Sequence, residues 1–170
     1  MRWIRYVVVA AAVTAPQLCF AEVLDSFVGH FPFDKVNGRN VYQVAKVRQS
    51  MDKLLGKQRQ KITRALRDFD RGGAIEALED SQLGRLIYVF QCMQHVCVNQ
   101  VALFLQPDGE AVAACLSQLD KEGSGTTTEW IGQGWQTIIK NCESGCCTGA
   151  SDQETLARLT AAKKQAQGGQ

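Results

Sequence analysis

Two thiols and an imidazole stand together in Cys92-Met93-Gln94-His95-Val96-Cys97. Three chemistries are open to such a set. A cysteine activated by His95 would be a nucleophile, but it would need a free thiol in a chain that otherwise reads as exported. As metal ligands, Cys92, His95 and Cys97 are three soft donors. Zinc sites usually draw their ligands from two separate knuckles, however, and nothing in the sequence brings Cys146-Cys147 near. The order Cys-x-x-His-x-Cys also differs from the Cys-x-x-Cys-His of covalent haem attachment. The third chemistry is a disulfide between Cys92 and Cys97, which closes a small ring around His95. Closing so short a loop gains only about 2 kcal/mol of chain entropy. Its better use is to shape a loop in advance, because rigidity lowers the entropic cost of binding. The reading is therefore a binding protein rather than an enzyme, with no metal and no cofactor.

The elements that must hold this loop are strand-like. Residues 86–91, rich in β-branched and aromatic side chains, lead in, and 98–106, where Val101, Leu103 and Leu105 alternate against Ala102 and Phe104, lead out, so the six residues are expected at the tip of a β-hairpin. Residues 111–119 and 126–131 read as further strands, and Pro107-Asp108-Gly109 as a turn. Residues 74–78 are a short candidate strand, and 135–140 fit either a strand or a short helix. Before the sheet, Val41, Val44, Val47, Met51, Leu54 and Leu55 recur at helical spacing up to a stop at Gly56. A second helix follows, with Ile62, Ala65, Leu66 and Phe69 on one face and Lys57, Arg59, Lys61, Arg64 and Arg67 on the other. That basic face reads as solvated, with docking as the alternative. The sum is an α+β fold: two N-terminal helices on one face of a four- to five-stranded antiparallel sheet. Ser151-Asp152-Gln153-Glu154 is a capping box that opens a thinly apolar, peripheral C-terminal helix.

The N-terminus indicates the compartment. Arg2 and Arg5 precede an apolar run over 7–15, and Cys19 and Ala21 are small residues at −3 and −1, so 1–21 reads as a secretory signal peptide cleaved after Ala21. Lipidation at Cys19 is the weaker reading, because Leu18 is bulky. The apolar run is too short to span a bilayer. The chain has 170 residues, 19 Lys+Arg and 17 Asp+Glu; without the 21-residue leader and its two arginines, 149 residues carry 17 positive and 17 negative charges. A neutral chain lacks the basic footprint of a nucleic-acid binder. The expected organisation is the leader, a single domain over 22–147 and a helical tail over 148–170. Of the seven cysteines, six remain after Cys19 is set aside, an even number that fits disulfides in an oxidising compartment. Cys92–Cys97 is the local pair. Cys115 is expected to reach Cys142, with the adjacent Cys146-Cys147 pair as the alternative, and Cys146 and Cys147 themselves stay unassigned.

The loop resembles that of the Ivy-type periplasmic inhibitors of c-type lysozyme, whose hallmark is Cys-Lys-Pro-His-Asp-Cys between two antiparallel strands. The cysteine spacing and histidine position coincide with Cys92, His95 and Cys97. The order of elements over about 73–134, and the lead-in Phe31-Pro32-Phe33-Asp34-Lys35-Val36, are similar as well. Val96, Gln94 and Met93 replace the family's acid, proline and lysine, so the loop carries neither of the family's two charges. The resemblance implies occlusion: a rigid loop enters the cleft between the two catalytic carboxylates of a retaining lysozyme, about 5 Å apart, and His95 sits between them. The implied partner is c-type lysozyme or another glycan hydrolase, met in the periplasm. The contrasting expectation is a structural or assembly protein that reuses the scaffold, with the basic helix face or the cysteine-rich C-terminal segment as its contact.

Overall fold

Near-continuous apolar runs over 86–90, 101–105 and 111–116 give a sheet with two buried faces. The computed structural model describes residues 24–120, 122–142 and 146–168; the leader expected at 1–21 lies outside them. The chain runs through α1 (Ala45–Leu55), α2 (Arg59–Asp68), β1 (Arg71–Gly72), β2 (Glu76–Asp80), β3 (Gly84–Met93), β4 (Val96–Leu105), β5 (Ala111–Leu119), β6 (Thr126–Gly132), β7 (Trp135–Lys140) and α3 (Asp152–Gly168). The sheet is antiparallel, in the order β1-β3-β4-β5-β6-β7, with β2 also paired to β3. It has seven strands rather than the four or five expected from the sequence. The additions are the two-residue β1 and the edge strand β7, whose alternating burial resolves the strand-or-helix ambiguity of 135–140.

One face carries Ile87, Val89, Val101, Leu103, Ala114, Leu116 and Ile131, and α1 and α2 cover it with Val47, Met51, Leu55, Ile62, Ala65 and Leu66. Burying such side chains is worth about 1.5–3 kcal/mol each and drives the assembly. Ser50 fixes the docking of α1: its hydroxyl donates to the Gly109 carbonyl at 2.8 Å and accepts from the Ala111 amide at 3.0 Å. Gly109 itself holds φ 91° in the β4–β5 turn, a conformation that glycine adopts freely. On α2, Lys61 donates to the nearly buried Glu129 carboxylate at 2.8 Å, tying the helix to β6.

The opposite face carries Tyr88, Ala102, Phe104, Cys115 and Trp130, and α3 lies over it with Leu156, Leu159 and Ala162. The tail helix is therefore the third layer rather than a peripheral appendage. Three apolar side chains suffice because a covalent tether brings the helix in. Cys115 bonds Cys147, not Cys142, and Cys142 bonds Cys146. The reason is geometric: Cys115 points to the Trp130 and Phe104 face, and Cys147 arrives on that face beneath Tyr88, whose hydroxyl donates to the Cys147 carbonyl at 3.1 Å. Val112 is the extra residue of a bulge between the Phe104–Ala113 and Leu105–Ala111 pairs, and packs on the α3 side although Ala114 and Leu116, two and four positions on, face the other way.

Candidate functional site

The β3–β4 hairpin ends more tightly than a six-residue loop. Met93 pairs with Val96, leaving Gln94-His95 as the turn, while Cys92 pairs with Gln100. The register jump puts 97–99 out of step with β3, and this bulge lets Cys97 turn back to bond Cys92. Cys92 is buried at the base and Cys97 is exposed. Met93 and Val96 are half-buried flanks on either side of the turn.

His95 occupies the second turn position at φ 63° and is exposed. Left-handed backbone is uncommon outside glycine, although histidine is one of the residues enriched there. Holding it costs on the order of 1–2 kcal/mol, and such strain concentrates at functional sites. The structure thus puts His95 at the apex, as the spacing predicts, with a backbone conformation that the spacing does not reveal.

Three braces fix the apex. The Gln94 amide nitrogen donates to Asp70 Oδ1 at 3.3 Å. With its amide oriented to match its neighbours, the Gln94 side chain donates to Asp70 Oδ2 at 3.2 Å and accepts from Arg71 at 3.0 Å and from His95 Nε2 at 3.1 Å. Deeper in the hairpin, Gln91 Nε2 donates to the Phe69 carbonyl at 2.7 Å, and the Tyr42 hydroxyl donates to Gln91 Oε1. Burial pushes the Tyr42 phenol well above its ordinary range, so it remains a donor. On the other side, Asn99 Oδ1 accepts from the Leu119 amide at 2.8 Å, and Asn99 Nδ2 lies 3.7 Å from the Met93 sulfur. β1 comes this close to β3 because Gly72 has no side chain: a Cβ there would stand 2.4 Å from the Phe90 carbonyl oxygen.

Asp70, Arg71, Gln91 and Tyr42 are thus supports that sequence reasoning missed. Asp70 lies 24 residues from Gln94, and Tyr42 lies 49 from Gln91. No local pattern joins them; the only trace in sequence is the polar Gln91 at the end of an otherwise apolar strand.

The arrangement limits the chemistry. Both cysteines of the loop are consumed in the ring, so neither is a thiolate nucleophile or a metal ligand beside His95. Among the described residues no group of three or more His, Cys, Asp or Glu is placed to hold a metal ion. Cys146 and Cys147 are also in disulfides, which removes the ligands that a shared site would have needed. No helix of the described residues is long and apolar enough to cross a membrane. What remains is a braced, covalently closed tip that presents one imidazole between two apolar flanks. Compared with protein-family models, curated proteins and solved structures, the chain matches none.

Proposed function

We propose that this chain is an exported inhibitor that occludes the cleft of a c-type lysozyme or a related glycan hydrolase with the Cys92–Cys97 loop. One observation carries the reading: an exposed His95 is held in a strained left-handed conformation on a tip that is closed by a disulfide and hydrogen-bonded to Asp70 and Arg71. A structural hairpin has no need of that strain, since glycine or asparagine would turn the chain at lower cost. The Ivy-like loop motif supports the same reading. Its proline position is Gln94 here, and the bonds of Gln94 to β1 supply the stiffness that proline would have given.

His95 Nε2 donates to Gln94 Oε1, which leaves Nδ1 of the neutral ring as an acceptor. Placed in the cleft of a retaining lysozyme, that nitrogen would accept from the protonated acid, while a ring that gains a proton would be favoured by the neighbouring carboxylate. Met93 and Val96 would rest on the cleft walls, where the resembled family carries charges. Affinity on this reading comes from shape and preorganisation more than from long-range attraction.

The test is a titration of secreted, oxidised protein against c-type lysozyme acting on a glycan substrate, beside His95→Ala and Cys92→Ser/Cys97→Ser. The reading predicts near-stoichiometric inhibition, lost by about 100-fold or more in His95→Ala, as for a central interface anchor. Equal inhibition by His95→Ala would refute the loop as the inhibitory element. No inhibition by the native protein would favour the scaffold-reuse alternative.

A further inference from the structure

Away from the hairpin tip, a cavity of about 300 Å³ opens between the turn at Val41–Gln43, α1 and α2. Its floor is hydrocarbon, sulfur and aromatic ring: Met51, Leu55, Leu66 and Tyr42, with the half-exposed Phe33 as one wall. Phe33 meets Tyr42 edge to face at 5.7 Å, so the wall is fixed from within. The floor offers no uncommitted polar atom. The Tyr42 hydroxyl is spent on Gln91, and at the rim Asn40 and Gln43 cap each other. An occupant therefore inserts a segment with no polar atoms.

The rim is cationic. Three guanidinium groups, of Arg48, Arg59 and Arg67, line the mouth against one carboxylate, that of Asp52. Arg59 is paired with Asp52 and Arg67 with Asp68, both partly exposed pairs that contribute little. Arg48 enters no ion pair among the described residues. An apolar hole with an uncompensated guanidinium at its mouth is complementary to an amphiphile with a hydrocarbon tail and a single anionic head.

We propose that this cavity binds a free medium-chain fatty carboxylate, its tail against Met51, Leu55 and Leu66 and its carboxylate on Arg48. A thioether suits the tail, because methionine repacks readily around irregular apolar shapes. The cavity shares Tyr42 with the supports of the hairpin but contains neither His95 nor the disulfide ring, and the proposal stands whether or not the protein inhibits a lysozyme.

Calorimetric titration of the full oxidised protein with decanoate, decanol and decyltrimethylammonium tests this. Decanoate is expected to bind one to one and decanol about ten-fold more weakly, the value of one charge-assisted contact, with no saturable binding of the cation. Arg48→Gln is expected to bring decanoate down to the affinity of decanol. Thr63→Trp, an exposed position at the cavity mouth, is expected to abolish binding of both while leaving the unfolding midpoint unchanged. His95→Ala should leave decanoate binding intact, which keeps this result separate from the inhibition assay. Equal affinity for all three amphiphiles, no effect of Arg48→Gln, or no saturable binding of decanoate would each overturn the proposal.

Discussion

Replacing Cys115 and Cys147 together by alanine removes the tether that holds α3 to the sheet. The bond spans 32 residues, against 5 for Cys92–Cys97. Chain entropy then gives about 4 kcal/mol for the first and about 2 kcal/mol for the second. Both Cys115 and Cys147 are fully buried among Phe104, Trp130 and Tyr88, so alanine also forfeits some packing there. Cys97, by contrast, is exposed. With a urea dependence of about 2 kcal/mol per molar, the midpoint should fall by about 2 M for Cys115→Ala/Cys147→Ala and by at most about 1 M for Cys92→Ala/Cys97→Ala. Urea unfolding by circular dichroism reads both values. Hydrogen exchange should show protection lost in α3 for the first variant only, since Leu156, Leu159 and Ala162 are a thin apolar set on which to hold a helix. Equal midpoints in the two variants, or a larger fall on opening the loop, would refute the assignment of a structural role to one bond and a shaping role to the other.

Lys61→Met leaves the nearly buried Glu129 carboxylate with Gln136 as its remaining side-chain partner, and should destabilise by about 1–3 kcal/mol in denaturant titrations. Adding Glu129→Gln should recover part of the loss, and strict additivity of the two changes would argue against the pair. Burial first, and Asp152 across from it second, raise the Glu76 carboxyl above 4.5. Its charged form therefore opposes folding, so Glu76→Gln should stabilise at neutral pH. The gain should disappear as pH falls through the raised value toward 4.5; a gain that persists in acid would contradict this origin. His95→Asn keeps a residue that tolerates φ 63° and should match or exceed the native unfolding midpoint, whatever it does to function.

The helices and central strands were legible because their signals are local. Val47, Met51 and Leu55 repeat at helical spacing, and residues 86–91 are an unbroken strand former. β1 was not legible, since two residues carry no periodicity and Arg71-Gly72 pairs with β3 only because a glycine permits the approach. The partner of Cys115 depended on which face of β5 it occupies and on where the chain passes after β7, neither of which is encoded near Cys115. The site divides in the same way. Cys92, His95 and Cys97 announce themselves by spacing, whereas the supports Asp70, Arg71, Gln91 and Tyr42 become neighbours only through the tertiary fold.

The central claim is that the His95 tip fills a catalytic cleft, and competition tests it most directly. Binding of the oxidised protein to a c-type lysozyme would be measured by calorimetry with the cleft empty and with it saturated by a non-cleavable glycan oligosaccharide. The account predicts tight one-to-one binding to the empty enzyme and its loss when the oligosaccharide is present. Binding of undiminished strength to the saturated enzyme would contradict it, as would no binding to the empty one.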